Sequence, residues 1–141
     1  MIPELQTAIV SRVLTGTNDF KTAISSKFYF AIAPSGTSGK YAVLSDVSNP
    51  NFLDTGSIHE ECYFQIAIYE TSTNDISSAA GVYDAATKLK ALFDEQTSSI
   101  TVAGYHLISL RRMNTIGARR TELNNGYTII LNYYALLERG R

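Results

Sequence analysis

The chain has 141 residues, of which 45% are hydrophobic and 18% charged, with a net charge of −1. That length suits one domain spanning residues 1–141, large enough to bury roughly 68–70% of its unfolded surface without help from a metal or a disulfide. The near-neutral balance argues against a dedicated nucleic-acid binder, and a single cysteine rules out an intrachain disulfide or a thiolate metal cluster.

The charge is unevenly spread. Residues 1–75 hold eight acids and four bases, whereas residues 76–141 hold five acids and eight bases. Glu4 and Arg12 interrupt the N-terminal apolar run, so no signal peptide is expected there. No apolar run approaches the ~18 residues of a membrane span, and a reducing cytoplasm is the expected compartment of synthesis.

In chain order, residues 3–14 read as a helix, with Ile2, Leu5, Ala8, Ile9 and Val13 recurring on one face, Pro3 in its first turn and Gly16 past its end. Phe20 and Ile24 anchor a short turn. KFYFAI (27–32) is a short strand, and Pro34 to Gly39 is a turn. KYAVLSDV (40–47) is a second strand, followed by a polar connection from Ser48 to His59. Residues 61–70 alternate, with Cys62, Phe64, Ile66 and Ile68 facing one way and Tyr63, Gln65, Ala67 and Tyr69 the other.

Thr71 to Asn74 supplies helix-start residues, with Asp75 at the positive end of a helix spanning 75–95. Its apolar stripe is Ala79, Val82, Ala86, Leu89 and Phe93, with Ala85 and Leu92 alongside. Asp84 and Lys88 form a favourable i,i+4 pair. Gly81 inside the helix costs about 1 kcal/mol relative to alanine, so something is expected to pack close to it. Ile100 to Val102 reads as a short strand turned by Ala103-Gly104, and Tyr105 to Arg112 as a longer one. For residues 117–124, loop and strand extension stay open. Asn125-Gly126 is a type I′ turn signal before a last strand with Tyr127, Ile129, Leu131, Tyr133, Ala135 and Leu137 on one face.

These elements predict an α+β fold of order α-β-β-β-α-β-β: a mainly antiparallel sheet of four to five strands with two helices on one face. The other face then carries Tyr63, Tyr69, Ile130, Tyr134 and Leu136. A sheet face that apolar is seldom left in water, and self-association is the expected remedy, with loops folding over it as the alternative.

No catalytic, cofactor or metal site emerges. Gly36-Thr37-Ser38-Gly39-Lys40 has the wrong glycine spacing for a phosphate loop and runs into a strand. His59 and His106 fall in different elements, unlike the short fixed spacing of most metal ligands, even with Asp54, Glu60 and Glu61 nearby. Cys62 lies on an apolar strand face, where a buried thiol is expected. Glu60 and Glu61 are adjacent on a strand and point to opposite faces, so they do not converge as an acid–base pair. The one polar cluster is Arg111, Arg112, Arg119 and Arg120, for which contact with a partner and a solvated surface both stand.

In its order of elements the chain resembles the tail terminator, or tail completion (head–tail joining), proteins of long-tailed bacteriophages and prophages. The segments that carry the likeness are ELQTAIVSRVL, KFYFAIAP, YAVLSDV, ECYFQIAIYE, AAGVYDAATKLKALFD, VAGYHLISLRR and GYTIILNYYALLER. The chain departs from the family in its Ser/Gly turn at 35–39 and its Asn-Pro-Asn connection at 49–51.

The resemblance implies a structural protein without cofactor. It implies a homohexameric ring on the head-proximal end of the tail tube, meeting the major tail tube protein and a head-closure protein. DNA would pass through the ring without sequence-specific binding, and no membrane is involved. The expected location is the virion neck, after assembly in host cytoplasm. The residues expected at ring or partner interfaces are Arg111, Arg112, Arg119, Arg120, Tyr63, Tyr69 and Tyr134.

Overall fold

The computed structural model describes residues 2–48, 59–72, 78–120 and 125–140. Its elements are helices α1 (Pro3–Leu14), α2 (Asp19–Ala23) and α3 (Ala80–Phe93), and strands β1 (Phe28–Phe30), β2 (Gly39–Ser48), β3 (His59–Ser72), β4 (Tyr105–Arg120) and β5 (Asn125–Arg139). The expected α+β class holds. The sheet has five strands in the order β1-β2-β3-β5-β4. It is mixed, because β1 runs parallel to β2, with Phe28 opposite Ala42 and Phe30 opposite Leu44. A parallel return normally needs a dozen or more residues. Here β1 is only three residues long, so the chain gets back to the start of β2 within residues 31–38.

Helix α1 has the expected bounds. Leu5, Ile9 and Val13 are buried, and Gly16 takes a left-handed φ of 76° just past Thr15, the C-terminal cap. The Phe20 turn is a third helix, α2. Asn18 caps it by accepting from the Lys21 N–H at 2.8 Å, and donates at 2.9 Å to the Val13 carbonyl at the end of α1. Arg12 reaches from α1 to the last turn of α3, where its Nε donates to the Leu92 carbonyl at 3.2 Å. These bonds tie the three helices into one layer.

That layer covers a single face. Val82, Ala85, Ala86, Leu89 and Phe93 of α3 join Cys62, Phe64, Ile66 and Ile68 of β3 and Ile129, Leu131, Tyr133, Ala135 and Leu137 of β5 in one buried cluster. Each large side chain buried there contributes about 1.5–3 kcal/mol. The Asp84–Lys88 pair forms at 3.0 Å. Gly81 does sit under a close neighbour, since a β-carbon at that position would strike the Glu70 carboxylate.

Four local expectations are corrected. Asn125-Gly126 is not a turn: both residues belong to β5, opposite Ser72 and Thr71, and Gly126 has no left-handed φ. The glycine is there because a β-carbon would collide with the Glu70 backbone carbonyl. Helix α3 starts later than expected, after Ala79, and no side chain caps it. Thr71 and Ser72 belong to β3, and the rest of the expected helix start, Thr73 to Asp75, lies outside the described residues.

The strand expected to end at Arg112 instead continues to Arg120, so residues 117–120 extend the hairpin; 121–124 lie outside the described residues. Near 100–102 only Val102 forms a bridge, to Tyr105, behind a 3-10 turn at Thr97–Ser99.

Candidate functional site

The register of β2, β3, β5 and β4 builds the second sheet face as a stack of rows. One row is His59–Glu138–His106, followed by Glu61–Leu136–Ser109. The next is Tyr63–Tyr134–Arg111. Then come an amide row, Ser45–Gln65–Asn132–Asn114, and an apolar row, Val43–Ala67–Ile130–Ile116. The last is Tyr41–Tyr69–Thr128–Arg119. Two tyrosine–arginine rows thus stand six residues apart along β3, roughly 20 Å at ~3.3 Å per residue. None of the described helices contributes a side chain to this face.

The rows are held by contacts across strands. Tyr41 and Tyr69 stack with ring centroids 5.1 Å apart and planes at 15°. Tyr63 and Tyr134 meet at the same separation, tilted 55°. The Arg111 guanidinium lies 5.1 Å from the Tyr134 ring centroid, within cation–π range. The Tyr134 hydroxyl donates to Glu61 Oε1 at 3.0 Å. Burial within the face, then the bond to Glu61, pushes the Tyr134 hydroxyl up from its ordinary value. Burial and the neighbouring Tyr69 do the same to Tyr41. Asn132 Nδ2 donates to Asn114 Oδ1 at 2.8 Å. Thr128 Oγ1 is a buried hydroxyl with no hydrogen-bond partner among the described residues.

Of the seven residues expected at an interface, the structure gathers Tyr63, Tyr69, Tyr134, Arg111 and Arg119 on this face. The arginine cluster splits, because neighbours on a strand point to opposite faces. Arg112 and Arg120 lie on the helix side, opposite Tyr133 and Tyr127. Arg112 pairs with Asp94 at 3.2 Å and donates from Nη1 to Thr115 Oγ1 at 2.9 Å. Arg120 lies 5.8 Å from the Tyr127 ring centroid.

Sequence reasoning missed Tyr41, Thr128 and Ile116 on this face. Tyr41 was findable from the β2 alternation. Ile116 was hidden by the bulges that break the β4 period.

The histidine row lines up His59, Glu138 and His106, yet no group of three or more His, Cys, Asp or Glu among the described residues is arranged to hold a metal ion. Asp54 lies outside the described residues. Cys62 is fully buried, and burial pushes its thiol up, away from the reactive thiolate. A cleft of about 500 Å³ between α2 and α3 is lined by Asn18, Asp19, Thr87 and Lys88 among others. It contains no nucleophile–base pair. Among the described residues, no helix is long and apolar enough to cross a membrane.

No protein-family model matches the chain, and no curated protein sequence matches it. Solved structures do. A chain in the structure described as "Virion of native gene transfer agent (GTA) particle" has a TM-score of 0.77 at 19% identity, covering 95% of this chain and 94% of that one. A second solved chain has a TM-score of 0.61 at 11% identity, covering 94% of this chain and 93% of its own length. At such identities the likeness establishes a shared fold over nearly the whole length of both chains.

Proposed function

We propose that the chain is a structural virion protein of the tail-terminator kind. In this reading it forms a ring at the head-proximal end of a tail tube, stops tube growth and joins tail to head. The observation that carries the reading is the second sheet face. It is broad and rich in tyrosine, crossed by two arginines and left bare by the described helices, which is how a contact surface for other virion components is built. The fold shared with a chain of a virion particle supports the same reading.

The function contains no chemical step. It consists of matching surfaces, so shape and charge complementarity on the ring's two sides carry it. The partners are neighbouring copies, the major tail tube protein and a head-closure protein, with DNA passing through unread.

The test is an Arg111→Glu, Arg119→Glu double change. Both side chains lie on the bare face, so folding is preserved while complete particles fall by at least roughly tenfold. Parent-level particle numbers would remove this face from the account.

A role elsewhere in the neck is the second reading. Electron microscopy of particles made without the chain separates the two. Overlong or unjoined tails mark a terminator, and filled heads that leak mark a head-closure component.

A further inference from the structure

The sheet has two unlike lateral edges. Strand β4 pairs only with β5, so its outer side is bare among the described strands. At the other edge, β1 covers β2 from Ala42 to Leu44, and among the described strands β2 itself is the edge from Ser45 onward. Four bulges interrupt the ladders: one at Gly117-Ala118, and three whose extra residues are Val47 in β2 and Ile108 and Met113 in β4. All three are large apolar side chains left exposed, at 55%, 39% and 51%. Edges that only need protection from pairing commonly carry charged residues such as lysine. Apolar residues in those places contribute little to the free chain and much to a contact.

Val47 has company. Phe30 lies opposite Leu44, and Ile32 follows two residues later at the same end of the sheet, 79% exposed. The heights are close. Asp46, Phe64, Tyr133 and Arg112 form one row across the sheet. Val47 leaves that row toward Tyr63 and Tyr134 and Met113 leaves it toward Gln65 and Asn132, so the two lie within about one residue's rise of each other, ~3.3 Å, on opposite edges. Charge agrees as well. Strand β4 carries four arginines and no acid, whereas the Val47 end of β2 and β3 carries Asp46, Glu60 and Glu61.

We infer that copies of this chain join edge to edge. Ile108 and Met113 of one copy seat against the Phe30, Ile32 and Val47 corner of the next. The two surfaces differ, so the contact is heterologous and repeats into a ring or a filament. At the far end of the same edges Arg119 and Arg120 would approach Lys27 and Lys40. Like charges keep the copies apart there, so neighbours meet at an angle, as a closing ring requires. The inference rests on the virion reading only in taking the partner to be another copy.

Two full-length variants test it: Ile32→Glu, Val47→Glu, which blocks the corner, and Ile108→Glu, Met113→Glu, which blocks β4. Self-association of the parent and of each variant is followed by native mass measurement across a concentration series, with the melting temperature confirming the fold. Each variant associates at least roughly tenfold more weakly than the parent. An equimolar mixture of the two stops at a dimer of one copy of each, because that pair retains a single intact contact. If a glutamate variant unfolds, Val47→Ser and Met113→Ser take its place.

The inference is overturned by blocked variants that associate like the parent, by a mixture that stays monomeric, or by a parent that stays monomeric up to its solubility limit. None of these outcomes touches the bare-face reading, which particle assembly tests separately.

Discussion

The guanidinium of Arg112 grips the carboxylate of Asp94, with Nε and Nη2 each 3.2 Å from Oδ2. Asp94 is the residue that ends α3, and the Tyr133 hydroxyl donates to its other oxygen at 3.4 Å. The network ties the end of the helix layer to both strands of the long hairpin. Arg111, one residue away, stacks on Tyr134 on the opposite face. The adjacent arginines therefore carry different loads. Arg112→Ala is expected to cost about 1–2 kcal/mol of stability, and Arg111→Ala less than about 0.5 kcal/mol. Chemical denaturation of both variants checks this; equal losses would contradict the division.

Tyr133 also makes stability depend on alkaline pH. Burial first, then the Asp94 carboxylate, pushes its hydroxyl well above the ordinary value of 10.0. A group whose folded pKa is raised contributes stability that is fully present below the unfolded value and is lost as pH rises past it. Stability is therefore expected to fall above about pH 10. Tyr133→Phe should flatten that fall without abolishing it, because Tyr41 and Tyr134 are raised in the same direction. Melting temperatures between pH 8 and 11 decide the matter, an unchanged slope in the variant being the contrary result.

The two glycines beside Glu70 should differ in how much they tolerate alanine. At Gly126 the obstacle is the Glu70 backbone, which cannot move without opening the β3–β5 ladder. Gly126→Ala is expected to cost roughly 1–3 kcal/mol. At Gly81 the obstacle is the end of the Glu70 side chain, whose ion pair with Lys40 is long at 3.9 Å. Gly81→Ala gains helix propensity as Glu70 swings away, and should stay within about 1 kcal/mol of the parent. Urea midpoints of the two variants give the comparison.

Much of this fold is legible in the residues, and the reason is periodicity. Pro3 and Gly16 bracket α1, and the alternations of β3 and β5 assign their two faces without error. Legibility fails where the period is broken or where the cause lies far away in the chain. The bulges at Ile108, Met113 and Gly117-Ala118 scramble the β4 alternation, so its last eight residues do not read as strand. The register also decides which arginines share a face, and so splits a cluster that looks continuous in sequence. Asn125-Gly126 is a strong local turn signal overridden by the close approach of Glu70, a tertiary fact. On the candidate face, Tyr63, Tyr69, Ile130, Tyr134 and Leu136 are readable from alternation alone. The pairing of Tyr41 with Tyr69 needs the β2–β3 register.

Thr128 offers a test of the face in the isolated chain. Its buried hydroxyl lacks a partner among the described residues, at a typical cost of about 1–3 kcal/mol. Thr128→Val keeps the shape and removes the orphaned group, so the variant should be as stable as the parent or more so. A clear loss of stability would mean that the hydroxyl is satisfied within the chain.

The most direct test of the central proposal is electron microscopy of particles assembled without this chain. The account predicts filled heads separate from tails, with tails of uncontrolled length. Joined particles with tails of normal length would contradict it.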